Sequence, residues 1–146
     1  VFVSAKEAHP DVYTVRAPVT AGQHILSLRL VNDYWNPDNP IWTERDRNVV
    51  IDWLGVDGPG YELTDAAGEL VEGENGIPSH CSTIDLGWAR RLSCGGELAY
   101  HRNIANEGLY EIAVRAFARQ AGPEVAAMEL YVDGTLLKSF SVGAGL

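Results

Sequence analysis

The sequence predicts an all-β protein with the architecture of a β-sandwich, and three observations support this prediction. Apolar residues recur mostly with a period of two, which is typical of half-buried strands. The 15 glycines and seven prolines interrupt the chain too often for long helices. Turn signals separate several short apolar segments, as in an all-β sandwich.

Length and charge limit the organisation of the chain and its partners. A chain of 146 residues with 46% hydrophobic residues fits one folded domain with a single core. The formal net charge of -9 opposes binding to nucleic acid phosphates and to an anionic membrane surface. Because no window has the roughly 18 consecutive apolar residues of a spanning helix, we expect no membrane insertion.

The first half of the chain contains three predicted strands. Residues 12–17 form the first, and residues 25–32 alternate Leu26, Leu28 and Leu30 with polar neighbours, which predicts a half-buried strand. Residues 48–56 are apolar on both faces and predict a central strand.

The second half contains a long strand and a hairpin. Residues 109–118 alternate inward apolar and outward charged side chains. Residues 128–132 and 135–142 flank Asp133-Gly134, a dipeptide that strongly predicts a tight hairpin turn.

Two stretches do not resemble strands. Residues 32–47 predict a loop rich in side-chain oxygens. Residues 57–80 contain six acids and five glycines and no Lys or Arg, so they predict a long, solvated and mobile surface connection. The predicted organisation is one domain, residues 1–146, with a loop-bearing half (1–56), an acidic connection (57–80) and a second half (81–146).

The loop at residues 32–47 is a candidate calcium site. Asp33, Asp38 and Asp46 supply carboxylates, while Pro37 and Pro40 restrict the backbone. Other oxygen-bearing side chains nearby are those of Asn32, Asn36, Asn39, Glu44 and Asn48. Calcium takes about six to eight oxygen ligands, which this loop could supply. A solvated loop closed by Asx turns explains the same spacing equally well.

Trp35 and Trp42 lie on the same polar loop. An exposed indole beside a metal could bind the C–H face of a sugar ring, because that face packs on aromatic surface. Burial in the core is an equally good explanation for each tryptophan.

A resemblance to a known family lies in the run Asn32-Asp33-Tyr34, a variable loop, and Asp46-Arg47-Asn48 leading into a strand with Asp52. This pattern resembles the calcium-dependent xylan-binding carbohydrate-binding modules of families 36 and 60. A second stretch, residues 107–134, resembles a segment of the modules found in large multidomain bacterial proteins. Together the two stretches cover about half of the chain.

The resemblance implies a jelly-roll sandwich and a Ca²⁺ ion that coordinates two vicinal hydroxyls of a polysaccharide or other glycan. The implied carboxylate ligands are Asp33 and Asp38, with Asp46 either a ligand or a brace of the loop. The implied glycan contacts are Tyr34, Trp35 and Trp42.

Four residues of the same motif are expected to be structural: Asn32, Arg47, Asn48 and Asp52. We expect Arg47 to pair with a neighbouring carboxylate and Asn48 to cap the loop. Asp52 lies in an apolar strand, where an unpaired charge is costly, so it should be paired or hydrogen-bonded.

The order of the two stretches is reversed relative to the modules that they resemble. The chain therefore looks either like a circular permutation or like halves of two successive modules. The first hypothesis predicts chain ends close together within one sandwich. The second predicts that neighbouring chains complete each other by strand exchange, as a homo-oligomer or filament.

Cys81 and Cys94 are the only cysteines. A calcium- and glycan-binding module suits an extracellular, periplasmic or cell-surface location, where the two would form a disulfide worth about 3 kcal/mol. Two buried thiols are the alternative. Zinc is disfavoured because only His80 is close to Cys81, and four ligands are not available.

Catalytic motifs are weak in this sequence. His80 and Cys81 are adjacent, and neighbours on a strand point to opposite faces. The acidic connection gives a glycosidase carboxyl little shielding from solvent. We therefore expect no enzyme activity. The expected function is calcium-dependent glycan binding; the alternative is a structural or assembly module in which Ca²⁺ only stabilises the loop.

Overall fold

The computed structural model describes residues 11–41, 45–59, 69–72, 77–79, 83–85, 89–92, 97–119 and 121–143. These residues form twelve strands and no helix. The strands are β1 (Asp11–Val19), β2 (Gly22–Leu30), β3 (Tyr34–Trp35), β4 (Asp46–Asp57), β5 (Glu69–Glu72), β6 (Ile77–Ser79), β7 (Thr83–Asp85), β8 (Arg90–Leu92), β9 (Glu97–Ile104), β10 (Gly108–Arg119), β11 (Ala127–Val132) and β12 (Thr135–Ser141). None of the described segments provides a helix that could cross a membrane.

The first sheet has seven strands arranged around β4. Its main order is β1-β10-β4-β8-β7, and every pairing is antiparallel. The long β4 strand pairs with β10 along one edge, while β3, β8 and β5 share its other edge in succession. The prediction of a central strand at residues 48–56 is therefore confirmed.

The second sheet has five strands in the order β12-β11-β2-β9-β6, also antiparallel throughout. Its β11–β12 hairpin turns at Asp133 and Gly134, whose φ angles are 50° and 80°. Positive φ at both positions is the geometry of a two-residue type I′ turn, whose twist matches that of the flanking strands. The predicted hairpin is thus confirmed.

The core lies between the two sheets. Leu28 and Leu30 of β2 are at most 1% exposed, and Tyr110 and Ile112 of β10 are equally buried. They belong to one hydrophobic cluster with residues from both sheets. Each such side chain removed from water contributes about 1.5–3 kcal/mol. Two antiparallel sheets on one apolar core define a β-sandwich.

The segment 57–80 differs from the prediction of a connection without strands. It contains β5, which pairs with β4, and β6, which pairs with β9. The segment therefore adds a strand to each sheet. Sequence pattern missed these strands because they are short and lie among glycines and acids that usually indicate turns. Residues 60–68, 73–76 and 80 of this segment lie outside the described part of the chain.

The described ends of the chain lie close together. The Gly143 N–H donates a hydrogen bond of 2.8 Å to the Tyr13 hydroxyl, and the Gly143 carbonyl accepts one of 2.9 Å from Ala118. Each sheet also contains strands from both halves of the chain, since β1 pairs with β10 and β2 with both β9 and β11. The hypotheses of a circular permutation and of strand exchange between chains both stay predictions.

Candidate functional site

A two-residue strand pair forms the base of the loop that the sequence singles out. Trp35 of β3 lies opposite Asp46 of β4, and Asn36 N–H donates to the Arg45 carbonyl at 2.7 Å. The Asn36 side chain accepts a hydrogen bond of 3.1 Å from the backbone N–H of Asp38. The Asx turns that the sequence allows are therefore present.

The tip of the loop is closed in the same way. The Asn39 side-chain oxygen accepts from Ile41 N–H at 2.9 Å, and the Asn39 carbonyl accepts from the Arg45 Nε at 2.7 Å. These local bonds fix the loop on the β3–β4 pair. Asp38 itself is exposed at the loop surface.

Arg47 holds the base of the loop from inside the protein. Its side chain is only 2% exposed. The Nε atom donates to the Ala121 carbonyl at 3.1 Å, and Nη1 donates to the Asn32 carbonyl. The Glu124 carboxylate lies 3.9 Å from Nη1. The structure thus shows Arg47 beside a carboxylate, with backbone carbonyls as its closer partners.

Asn32 connects the start of the loop to the segment before β11. Its amide donates to the Val125 carbonyl at 2.7 Å and to the Glu124 carboxylate at 3.4 Å. Its side-chain oxygen accepts from Ala127 N–H at 2.7 Å. Asn32 is therefore fully engaged within the protein.

Tyr34 packs inward rather than projecting into solvent. The Arg47 guanidinium lies 5.3 Å from the centre of its ring, which is a cation–π contact. The ring also lies against Gly122, where an added Cβ would stand 2.7 Å from the ring carbons. This packing leaves Trp35, which is 59% exposed, as the accessible aromatic residue of β3.

A shallow cavity of about 140 Å³ opens beside the exposed indole. Its lining residues are Trp35, Arg45, Asp46, Arg91 and Arg119. Arg91 of β8 lies opposite Val50 of β4, and Arg119 of β10 lies opposite Asn48 of β4. Residues directly opposite each other in an antiparallel pair point to the same face. The register therefore places both arginines on the face of the sheet that carries Asp46 and Asn48.

Asp46 is the partly buried carboxyl of this cavity. Burial raises its pKa above the ordinary value of 3.8, and the Asn48 side chain opposes this rise. The Asp33 carboxylate nearby raises the pKa further, whereas the guanidinium groups of Arg91 and Arg119 lower it. The structure thus brings Asp33 and Asp46 into electrostatic contact.

Asn48 is fully buried beside Asp46, and among the described residues neither its amide nitrogen nor its amide oxygen has a partner in hydrogen-bond geometry. It approaches the Asp46 carboxylate closely enough to lower the pKa but not in hydrogen-bond geometry. This interaction connects Asn48 to the end of the loop, and its predicted capping role stays a prediction. A buried amide without partners is costly, so this side chain is a candidate for interaction with a bound group.

The oxygen donors here suit a hard cation. Asp33, Asp46 and the unpartnered oxygen of Asn48 are the kind of ligand that Ca²⁺ takes. Within the described residues, no three His, Cys, Asp or Glu side chains lie close enough together to form a metal-binding group. A calcium ion held by these described side chains would take further oxygen ligands, such as loop carbonyls or sugar hydroxyls.

The remaining predicted residues lie away from the cavity or outside the described chain. Asp52 has an ion pair of 3.2 Å with Arg115, which confirms the expectation that it is paired. Trp42, Cys81 and Cys94 lie outside the described residues, so their predicted roles in glycan binding and in a disulfide stay predictions.

Sequence reasoning did not find the arginines of the cavity. Arg45 was passed over among the polar residues of the loop, and Arg91 and Arg119 lie far away in sequence. They reach the site only through the register of β8 and β10 on β4. The excess of acidic residues also favours the prediction of a cation site over that of an anion site.

Fold and site together define a class: an all-β sandwich with an exposed tryptophan beside a charged, shallow cavity at one end of its central strand. Comparisons with protein-family models, with curated proteins and with solved structures gave no match to this chain. Function is therefore inferred from the residues themselves.

Proposed function

We propose that this protein is a non-catalytic, calcium-dependent carbohydrate-binding module that binds a glycan at the Trp35 cavity. The observation that carries the proposal is the indole of Trp35, 59% exposed and directly beside a cavity lined by charged side chains. A sugar ring needs both surfaces, because its C–H face packs on an aromatic ring while its hydroxyls take polar partners.

We include calcium in the proposal because the same loop carries carboxylates that could bind it. Asp33 and Asp46 would hold the ion, with Asp38 as a further ligand from the loop. When bound, Ca²⁺ supplies a positive charge that attracts sugar hydroxyl oxygens. The chain's own residues orient the sugar: Trp35 supports one face of the ring, and Arg47 fixes the loop that carries this tryptophan.

The experiment is a calorimetric titration of the protein with xylo-oligosaccharides, galacto-oligosaccharides and cello-oligosaccharides, in CaCl₂ and in EDTA. We expect binding of at least one oligosaccharide that is lost in EDTA and in Asp33→Ala. Trp35→Ala should remove sugar binding while leaving calcium binding intact. Arg16→Ala is the matched surface control because Arg16 lies on β1, outside the cavity lining.

Three results would contradict the proposal. Absence of binding to all three oligosaccharide classes would refute glycan recognition. Unchanged sugar affinity in EDTA would refute the calcium requirement. Release of reducing sugar by the pure protein would refute the non-catalytic role.

A second function, assembly of copies of this chain through sandwich edges, has one supporting observation. β1 and β12 are edge strands of the two sheets, and they carry Val12, 51% exposed, and Leu136, 47% exposed. Open strand edges with apolar residues favour pairing with another chain. Size measurement in dilute solution tests this: a monomer near 15.9 kDa at all concentrations would exclude assembly.

A further inference from the structure

We infer that the cavity beside Trp35 recognises an acidic sugar, namely a uronic acid residue of a glycan, through the guanidinium groups of Arg91 and Arg119. This inference rests on the proposed glycan-binding function and specifies the class of its ligand. It follows from the charge of the cavity lining, which is opposite in sign to that of the whole chain.

The cavity lining is cationic. It contains three arginines and one aspartate, a formal charge of +2, whereas the whole chain carries -9. One of the arginines, Arg45, has its Nε engaged by the Asn39 carbonyl and thus also supports the loop. The concentration of guanidinium groups at one point of an acidic protein favours an anionic ligand there.

Arg91 and Arg119 are the other two cations of the lining, and both interact electrostatically with the partly buried Asp46. Neither forms an ion pair with a carboxylate in the described part of the chain. The Nε of Arg91 is also buried, and no hydrogen-bond partner for it lies among the described residues. An unsatisfied guanidinium donor is costly, and a carboxylate accepts from this group in a two-pronged, charge-assisted arrangement.

The register of the sheet explains why the two arginines act on one ligand. Arg91 and Arg119 come from strands on opposite sides of β4, and both point to the face that carries Asp46. Trp35 lies opposite Asp46 on β3. The apolar indole and the two guanidinium groups therefore border the same shallow space.

A uronic acid fits this combination because one pyranose ring carries both an apolar C–H face and a carboxylate. The indole would take the face of the ring, and the guanidinium groups would take the carboxylate. Inorganic phosphate or sulfate has no apolar face that could pack on the indole of Trp35. A long polyanion would be repelled by the chain's net charge of -9.

The test uses a matched pair of ligands: xylotetraose, and a xylotetraose of the same length that carries one glucuronic acid branch. Both are titrated into the full chain by calorimetry in CaCl₂. We expect the acidic oligosaccharide to bind about tenfold more tightly than the neutral one, from charge-assisted hydrogen bonds. This preference should shrink as NaCl rises from about 0.05 M to about 0.5 M, because salt screens exposed charges.

Variants separate this inference from the proposed function. Arg91→Gln and Arg119→Gln should each reduce the preference, measured as the ratio of the two affinities in the same variant, to about twofold or less. Arg119→Lys should keep part of the preference, since it retains the charge but not the planar fork. Arg16→Gln removes the same charge on β1, away from the cavity, and should keep the full preference. Circular dichroism spectra identical to the parent's show that each variant is folded.

Each outcome has a defined meaning. Equal affinity for the neutral and acidic ligands refutes uronate recognition and leaves the proposed function intact. Failure of both ligands to bind refutes uronate recognition on a xylan chain, and the proposed function is refuted as well only if galacto-oligosaccharides and cello-oligosaccharides also fail to bind. Tighter binding of adenosine monophosphate than of the acidic oligosaccharide also refutes the uronate assignment, because a nucleotide combines a flat ring with a phosphate. A preference that survives in Arg91→Gln and Arg119→Gln places the carboxylate elsewhere.

Discussion

Replacement of Arg47 is the sharpest test of how the candidate site is built. Arg47→Ala removes a buried guanidinium that donates to the carbonyls of Asn32 and Ala121 and contacts the ring of Tyr34. Arg47→Met keeps most of the aliphatic stem but none of the donors. Together the two variants separate packing from hydrogen bonding.

The magnitude follows from these contacts. A hydrogen bond from a charged donor contributes about 1.5–3 kcal/mol, and Arg47 makes two. The contact with Tyr34 adds about 0.5–2 kcal/mol. The ion pair with Glu124 adds little, because the Glu124 side chain is 68% exposed. Removal of the guanidinium also removes the cost of burying its charge, which offsets part of this loss, and Nη2 has no hydrogen-bond partner among the described residues. The net loss is about 3 kcal/mol for Arg47→Met and slightly more for Arg47→Ala.

Urea unfolding followed by circular dichroism measures this loss. With a slope of about 2 kcal/mol per molar urea, the midpoint should fall by about 1.5 M. Arg16→Ala, a variant of a side chain that is 72% exposed, should lower the free energy of unfolding by less than about 0.5 kcal/mol. If Arg47→Met lies within about 0.5 kcal/mol of the parent, the carbonyl contacts do not stabilise the loop and the reasoning is wrong.

Three further predictions concern charge and backbone geometry. Because the pKa of Asp46 is raised above 3.8, ionisation of this carboxyl costs stability as pH rises beyond that value. Asp46→Asn should therefore raise the Tm at neutral pH in EDTA. The same variant should cancel any stabilisation by CaCl₂. The pKa of His24 is raised above 6.5, chiefly by its 2.6 Å hydrogen bond to Asp133. The stability that this pair contributes is complete below pH 6.5 and is lost as pH rises through the raised pKa. His24→Gln should abolish this decline when the Tm is measured over a series of pH values. Gly122→Ala should cost about 2–4 kcal/mol in urea unfolding, because φ is +72° and the added Cβ meets Tyr34.

Controls for these predictions are available in the same chain. Gly134→Ala should cost only about 1 kcal/mol, since φ is +80° but nothing lies within 4 Å of the added Cβ. Equal losses for the two glycine variants would mean that Tyr34 does not pack against Gly122. A lower Tm of Asp46→Asn in EDTA would mean that the carboxylate stabilises the fold. If the Tm of His24→Gln still falls above pH 6.5 as in the parent, another group causes the decline.

The fold was predictable where strands are long. Leu26, Leu28 and Leu30 alternate with polar residues, and the structure buries all three. Asp133-Gly134 identified its hairpin because few other dipeptides adopt positive φ at both positions. The short strands β5 and β6 were not predictable, since a strand of three or four residues carries too little pattern and depends on its partner. The jelly-roll connection stays a prediction.

The candidate site was predictable only in its local part. Asp33, Trp35 and Asp46 lie within one hairpin, so the sequence alone could group them. Arg91 and Arg119 come from other strands, and their position depends on strand register, which follows from the packing of the whole sheet and not from any local pattern. Tyr34 was predicted to contact sugar, but an aromatic residue next to Trp35 on a strand faces the opposite side. It packs on Arg47 and Gly122, while its role in glycan binding stays a prediction.

The closeness of Tyr13 and Gly143 has a mechanical consequence. β1 and β12 are edge strands of their sheets, and their outer ends pair as Asp11 with Ala116 and Ser141 with Ala127. A force that pulls the two described ends apart therefore acts on the last pair of each ladder and breaks the pairs one after another, as in peeling. Tension loads every pair of a ladder together only when it runs along the length of the strands. This module is thus mechanically weak between its ends, and a fusion meant to carry load should attach through another edge.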